Sequence, residues 1–74
     1  RPQLSLPKRE IATLSALIVQ GCALPQLKVH IKAALHVGLT QDEIKEVIMQ
    51  LVAYCGYPKT INALIIADEV FQEV

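Results

Sequence analysis

The stretch TQDEIKEVIMQLVAYC, Thr40 to Cys55, decides the fold class by its spacing. Thr40 followed by Glu43 is a capping box. The threonine hydroxyl and the Glu43 carboxylate each satisfy a backbone N–H that the first helical turn leaves open. At about 100° per residue, Ile44, Ile48, Leu51, Val52 and Cys55 fall on one stripe. Asp42, Lys45, Glu46 and Gln50 face away from it. This is an amphipathic helix with one face on a core and the other in water.

The punctuation on either side repeats the theme. Ser5-Leu6-Pro7 opens a segment that Gly21 closes, Pro25 opens a second closed by Gly38, and Gly56 closes the Thr40 segment. Pro58 opens a fourth, which runs to the end of the chain. Proline near helix starts and glycine just past helix ends are the expected signals. The spacing predicts helices over 6–20, 25–37, 41–55 and 58–73 and no strand, an all-α single domain over 1–74. The fourth helix differs from the third. Ala63, Leu64, Ile66, Ala67, Val70 and Phe71 form a wide apolar arc, yet Ile61 and Ile65 lie opposite it among Asp68, Glu69 and Gln72. A helix apolar on two sides is covered on two sides, so a subunit interface is expected there.

Composition supports that expectation. Of the 74 residues, 53% are hydrophobic and only 4% aromatic, with no Trp. A chain of this size buries only about 60% of its unfolded surface. So much aliphatic surface implies a larger fold or pairing between copies. Intrinsic disorder, a disulfide scaffold and a collagen-like chain are excluded. No apolar run approaches the ~18 residues of a membrane-spanning helix. Seven basic and seven acidic residues cancel, so the basic footprint of a nucleic-acid binder is absent. The two cysteines, Cys22 and Cys55, allow at most one bridge, which fits a reducing, cytoplasmic setting. The chain opens Arg1-Pro2 without Met, as expected of a domain lacking its N-terminal part.

The informative residues are polar groups on apolar faces. On the first helix Glu10 falls in angle between Leu14 and Leu17, while Arg9, Thr13 and Gln20 form the wet side. A carboxylate there is partly desolvated and needs a partner. Alternatively, it is a first-turn acid favoured by the helix dipole. On the second helix His30 lies between Ala34 and Val37, whereas His36 joins Lys28 and Lys32. His30 is therefore the enclosed histidine and a candidate general acid/base, or else a satisfied core residue. Cys22 sits in the turn before the second helix, where a thiol can be activated, but Cys-Ala-Leu-Pro is not Cys-x-x-Cys. Cys55 reads as core. The hydroxyls of Tyr54 and Tyr57, flanking Gly56, are placed to reach a pocket or a backbone carbonyl. There is no glycine-rich phosphate loop and no zinc-like His/Cys spacing, so neither cofactor nor metal is predicted.

Several of these segments carry a family likeness. Glu10-Ile11-Ala12-Thr13-Leu14, Gly21, His30-Ile31-Lys32-Ala33-Ala34-Leu35 and Gly38 through Val47 resemble the carboxymuconolactone decarboxylase family. So do Tyr54-Cys55-Gly56-Tyr57-Pro58 and Asn62-Ala63. The resemblance implies a four-helix AhpD-like bundle that assembles into a homo-oligomer, a trimer or hexamer. It also implies a small-molecule substrate, a carboxylated lactone from aromatic-compound breakdown, decarboxylated without a cofactor. Within that reading His30 is the general acid/base and Glu10 its orienting or proton-relay partner, with Arg9 the nearest basic residue for anion binding. The related alkylhydroperoxidase branch uses a glutamate, a cysteine pair and a histidine. Glu10 and Cys22 match its first two positions, but Pro25 stands at the second cysteine and His30 lies one residue farther on. A thiol antioxidant and a non-enzymatic oligomeric module are the competing readings.

Glu10 and His30 are each expected to need a partner, and the short Cys22-Ala23-Leu24 link makes the first two helices neighbours. With ~1.5 Å of rise per residue, Glu10 lies roughly 15 Å from the turn and His30 about 8 Å. The two are expected to approach each other in a shared, partly enclosed pocket, within one subunit or across an interface. The offset of roughly 7 Å is awkward for direct contact within one hairpin and calls for a bridging water, a crossing angle or a neighbouring subunit.

Overall fold

The computed structural model describes residues 2–73 and is all-helical over that span. Its elements are α1 (Leu6–Gln20), α2 (Leu24–His36), α3 (Gln41–Gln50), α4 (Val52–Cys55) and α5 (Tyr57–Glu73). The arrangement is a four-helix bundle whose third helix is interrupted. The expected helix over 41–55 breaks at Leu51. There the chain tightens: Leu51 N–H donates to Ile48 O at 3.1 Å and Tyr54 N–H to Leu51 O at 2.9 Å, both i−3 bonds. Leu51 is itself buried, so the tighter turn keeps its side chain in the core between α3 and α4.

Local chemistry explains the helix ends. Ser5 Oγ accepts from Lys8 N–H at the start of α1. The Thr40–Glu43 capping box is complete, with bonds of 2.9 and 3.0 Å in its two directions. α2 starts at Leu24, one residue before the expected position, with Pro25 in its first turn and no side-chain cap at Ala23. The core joins Leu14 and Ile18 of α1, Leu27, Ile31 and Ala34 of α2, Ile44 and Ile48 of α3, and Ala63, Ala67 and Val70 of α5. Cys55 packs at its margin, with Sγ 3.6 Å from the hydroxyl of Thr60. Thr60 is buried, and its hydroxyl donates to Gly56 O at 2.9 Å.

Two contacts from α5 hold the α1–α2 hairpin. Lys59 Nζ donates to Val19 O at 2.9 Å, satisfying a carbonyl at the end of α1. At the other end of α5, Glu73 receives Lys28 and Lys32, each at 3.0 Å. Hydrogen bonds from Lys32 and then Lys28 hold the Glu73 carboxyl below its ordinary range, and the Glu73 bond raises Lys28 in turn. These groups are solvent-exposed, so the pairs steer the helix ends more than they stabilise them.

On α5, Ala63, Ala67 and Val70 face the core, with Leu64, Ile66 and Phe71 packed beside them. Opposite them Tyr57, Ile61 and Ile65 form an exposed apolar row at i, i+4 and i+8, with the two isoleucines 50% and 54% exposed. No helix among the described residues is long and apolar enough to cross a membrane.

Gly21 is required by both backbone and packing. Its φ is +77°, and a Cβ built there would lie 2.8 Å from Lys59 Cε. Gly38 has φ +106° but open space around it. Gly21→Ala should therefore lower the unfolding free energy by more than the roughly 1–2 kcal/mol of left-handed strain alone, because the Lys59 cap must also move. Gly38→Ala should lose only the strain. Urea denaturation of the two variants checks the order.

Candidate functional site

Glu10 and His30 meet where α1 and α2 face each other. His30 Nδ1 and Glu10 Oε1 are 3.0 Å apart, with the ring N–H donating to the carboxylate. The Glu10 side chain is 18% exposed and that of His30 37%. The two approach each other as expected, and the contact is direct and lies within one chain, so neither a bridging water nor a second copy is required. From the observed start at Leu24 the axial offset is about 6 Å, and the two extended side chains span it. His30 is also less enclosed than its helical angle implied. One edge of the ring faces the carboxylate, and the residue opens onto the surface. His36 is exposed, as expected.

Beside this pair lies an open cleft of about 180 Å³, lined by Pro25, Gln26, Val29 and His30. All four come from the first turns of α2. Their spacing makes two i, i+4 rows, an apolar one of Pro25 and Val29 and a polar one of Gln26 and His30. Gln26 was not singled out in the sequence. The available signal was its position one turn before His30. A lone exposed glutamine at a helix start is ordinary, so nothing marked it until the cleft was visible.

Other candidates lie elsewhere. Arg9, proposed as an anion contact, does not line the cleft; its Nε donates to Leu4 O at 2.9 Å. Tyr54 and Tyr57 are largely exposed and do not line it either. Cys22 is exposed and Cys55 partly buried, and both are free thiols. Among the described residues no group of three or more His, Cys, Asp or Glu side chains is arranged to hold a metal.

The chemistry of this arrangement follows from the ring. A histidine whose Nδ1–H is held by a carboxylate presents Nε2 as its working nitrogen in a fixed orientation. A proton on Nε2 is then balanced by the facing carboxylate rather than left as an isolated charge. The pair is suited to handing a proton to a small molecule in the cleft.

Comparison with known proteins places this geometry in context. The model of the carboxymuconolactone decarboxylase family matches residues 1–69. The chain is 34% identical to a 4-carboxymuconolactone decarboxylase of Acinetobacter baylyi, covering all of this chain and 54% of that protein. It is 32% identical to a nitrosuccinic acid decarboxylase of Metarhizium robertsii, covering all of this chain and 51% of that protein. It is 39% identical to an uncharacterized 15.0 kDa protein of Paracoccus denitrificans, covering 99% of this chain and 55% of that one. The chain thus spans about half the length of the relatives it matches. With the family model covering nearly its whole length, the chain belongs to the carboxymuconolactone decarboxylase family.

Proposed function

We propose that the chain carries the proton-transfer site of a decarboxylase acting on a small carboxylic acid, with His30 as general acid and Glu10 as its positioning partner. The carrying observation is the 3.0 Å Nδ1–Oε1 contact beside an open cleft. Two of the relatives are named for decarboxylation, one of a lactone acid and one of a nitro acid. These substrates share a chemical property. The carbon–carbon bond to the carboxylate breaks, carbon dioxide leaves, and the electron pair delocalises onto an oxygen of the substrate itself, in a carbonyl or a nitro group. Such an acid carries its own electron sink, so the protein's part is to bind, orient and protonate. His30 Nε2–H delivers the proton to the carbanion, and the imidazole regains one from water. For this chain a carboxylated lactone of aromatic-compound catabolism is the first candidate substrate. The two free thiols support a reducing, cytoplasmic setting.

Carbon dioxide release from 4-carboxymuconolactone and from nitrosuccinate tests the reading. His30→Gln should lower kcat by roughly 10²–10⁴. Glu10→Gln should lower it less and change the pH profile, because the carboxylate that orients the ring and balances a proton on Nε2 is lost. Full turnover by both variants would overturn the assignment.

We further propose that copies of the chain join through the exposed Tyr57, Ile61 and Ile65 row of α5, forming a homo-oligomer. The support is the two-sided apolar character of α5 and the aliphatic excess of the chain. Light scattering coupled to size exclusion should show an oligomer that Ile61→Glu with Ile65→Glu dissociates. A well-folded monomer of the unaltered chain at micromolar concentration would contradict it.

A further inference from the structure

The cleft beside His30 is divided along its length, and the division matches what a decarboxylation requires. None of its lining residues is a lysine or arginine. A departing carboxylate gains nothing from a cation, which would hold it in the charged ground state. It leaves more readily from an apolar seat, which does not favour the charged carboxylate over neutral carbon dioxide. The oxygen that receives the electron pair has the opposite requirement. It gains charge as the bond breaks, and a donor aimed at it stabilises the transition state more than the ground state.

Pro25 and Val29 supply the apolar row, and Val29 is 62% exposed and so accessible to a small molecule. Gln26 lies one turn before His30 in the polar row, so their Cβ atoms stand about 6 Å apart on the same face. That separation fits one small molecule touching both. The Gln26 side chain is exposed, and its amide has no hydrogen-bond partner among the described residues.

Resting on the decarboxylase reading above, we propose that the Gln26 amide donates a hydrogen bond to the substrate oxygen that becomes negative as carbon dioxide leaves, with Pro25 and Val29 seating the departing carboxylate. The step balances within the substrate and His30. The carbon–carboxylate bond breaks, its electron pair passes to the carbonyl or nitro oxygen facing Gln26, carbon dioxide departs over the apolar row, and His30 Nε2–H protonates the carbon. The substrate class is then a small acid whose carboxylate stands on a carbon conjugated with the electron sink, directly or through one carbon–carbon double bond.

The nitronate of 3-nitropropionate, the freshly deprotonated form of a nitro acid, carries the charge that this oxygen would bear, and its binding is measurable without turnover. In titration calorimetry the unaltered full chain should bind the nitronate more tightly than the nitro acid. Gln26→Leu should abolish that preference while leaving nitro-acid binding unchanged, and should lower kcat on the active substrate by about a hundredfold with little change in KM. Gln26→Asn, which keeps the amide, should restore part of both. If Gln26→Leu keeps the nitronate preference and full kcat while His30→Gln is inactive, this inference is wrong and the proton-transfer reading stands. If both variants retain full turnover, the two readings fall together.

Discussion

The contact between Glu10 and His30 is the constraint on which the functional reading depends. Glu10 sits on the face of α1 that carries Leu14, among groups that cannot satisfy a carboxylate, and the imidazole of α2 meets that need at 3.0 Å. Hydrogen bonds involving a charged group contribute about 1.5–3 kcal/mol, and the partial exposure of both partners puts this one at the lower end. Its larger consequence is orientational. One nitrogen is committed to Glu10 of α1, which fixes the orientation of a ring that borders the cleft.

The rest of the bundle holds that contact in register. α1 and α2 are joined by only Gly21, Cys22 and Ala23, so a small rotation at Gly21 displaces Glu10 relative to His30. α5 resists it from both ends, through Lys59 at the end of α1 and Glu73 against Lys28 and Lys32. Beneath these surface ties, Leu14, Ile18, Leu27 and Ile31 interlock in the core one layer below the pair. Fold and site are thus coupled through the hairpin: its left-handed glycine, its lysine cap and its aliphatic layer all bear on a single hydrogen bond.

Much of this was legible in the residues. The capping box, the prolines near helix starts and the closing glycines placed the helices to within a residue, except at Leu51. There a continuous apolar stripe concealed the interruption, because Leu51 and Cys55 serve the same core on either side of it. Glu10 and His30 stood out as polar groups on apolar faces. Their approach to each other was legible as well; that they touch directly within one hairpin was not, because axial rise alone omits the reach of two long side chains. Gln26 left no mark in the sequence, since an exposed amide acquires meaning only from the cleft it borders. Family resemblance pointed to decarboxylase-like chemistry more sharply than spacing did, while the faces of the helices singled out His30 and Glu10.

The central claim is that Glu10 holds His30 by Nδ1 and leaves Nε2 to work. Nitrogen-15 NMR of the His30 imidazole tests it most directly. For the neutral form of the ring, the account predicts that the proton resides on Nδ1 and that Glu10→Gln returns the ring to the Nε2–H tautomer ordinary for free histidine. A ring already in the Nε2–H form in the unaltered protein, and indifferent to Glu10→Gln, would contradict it.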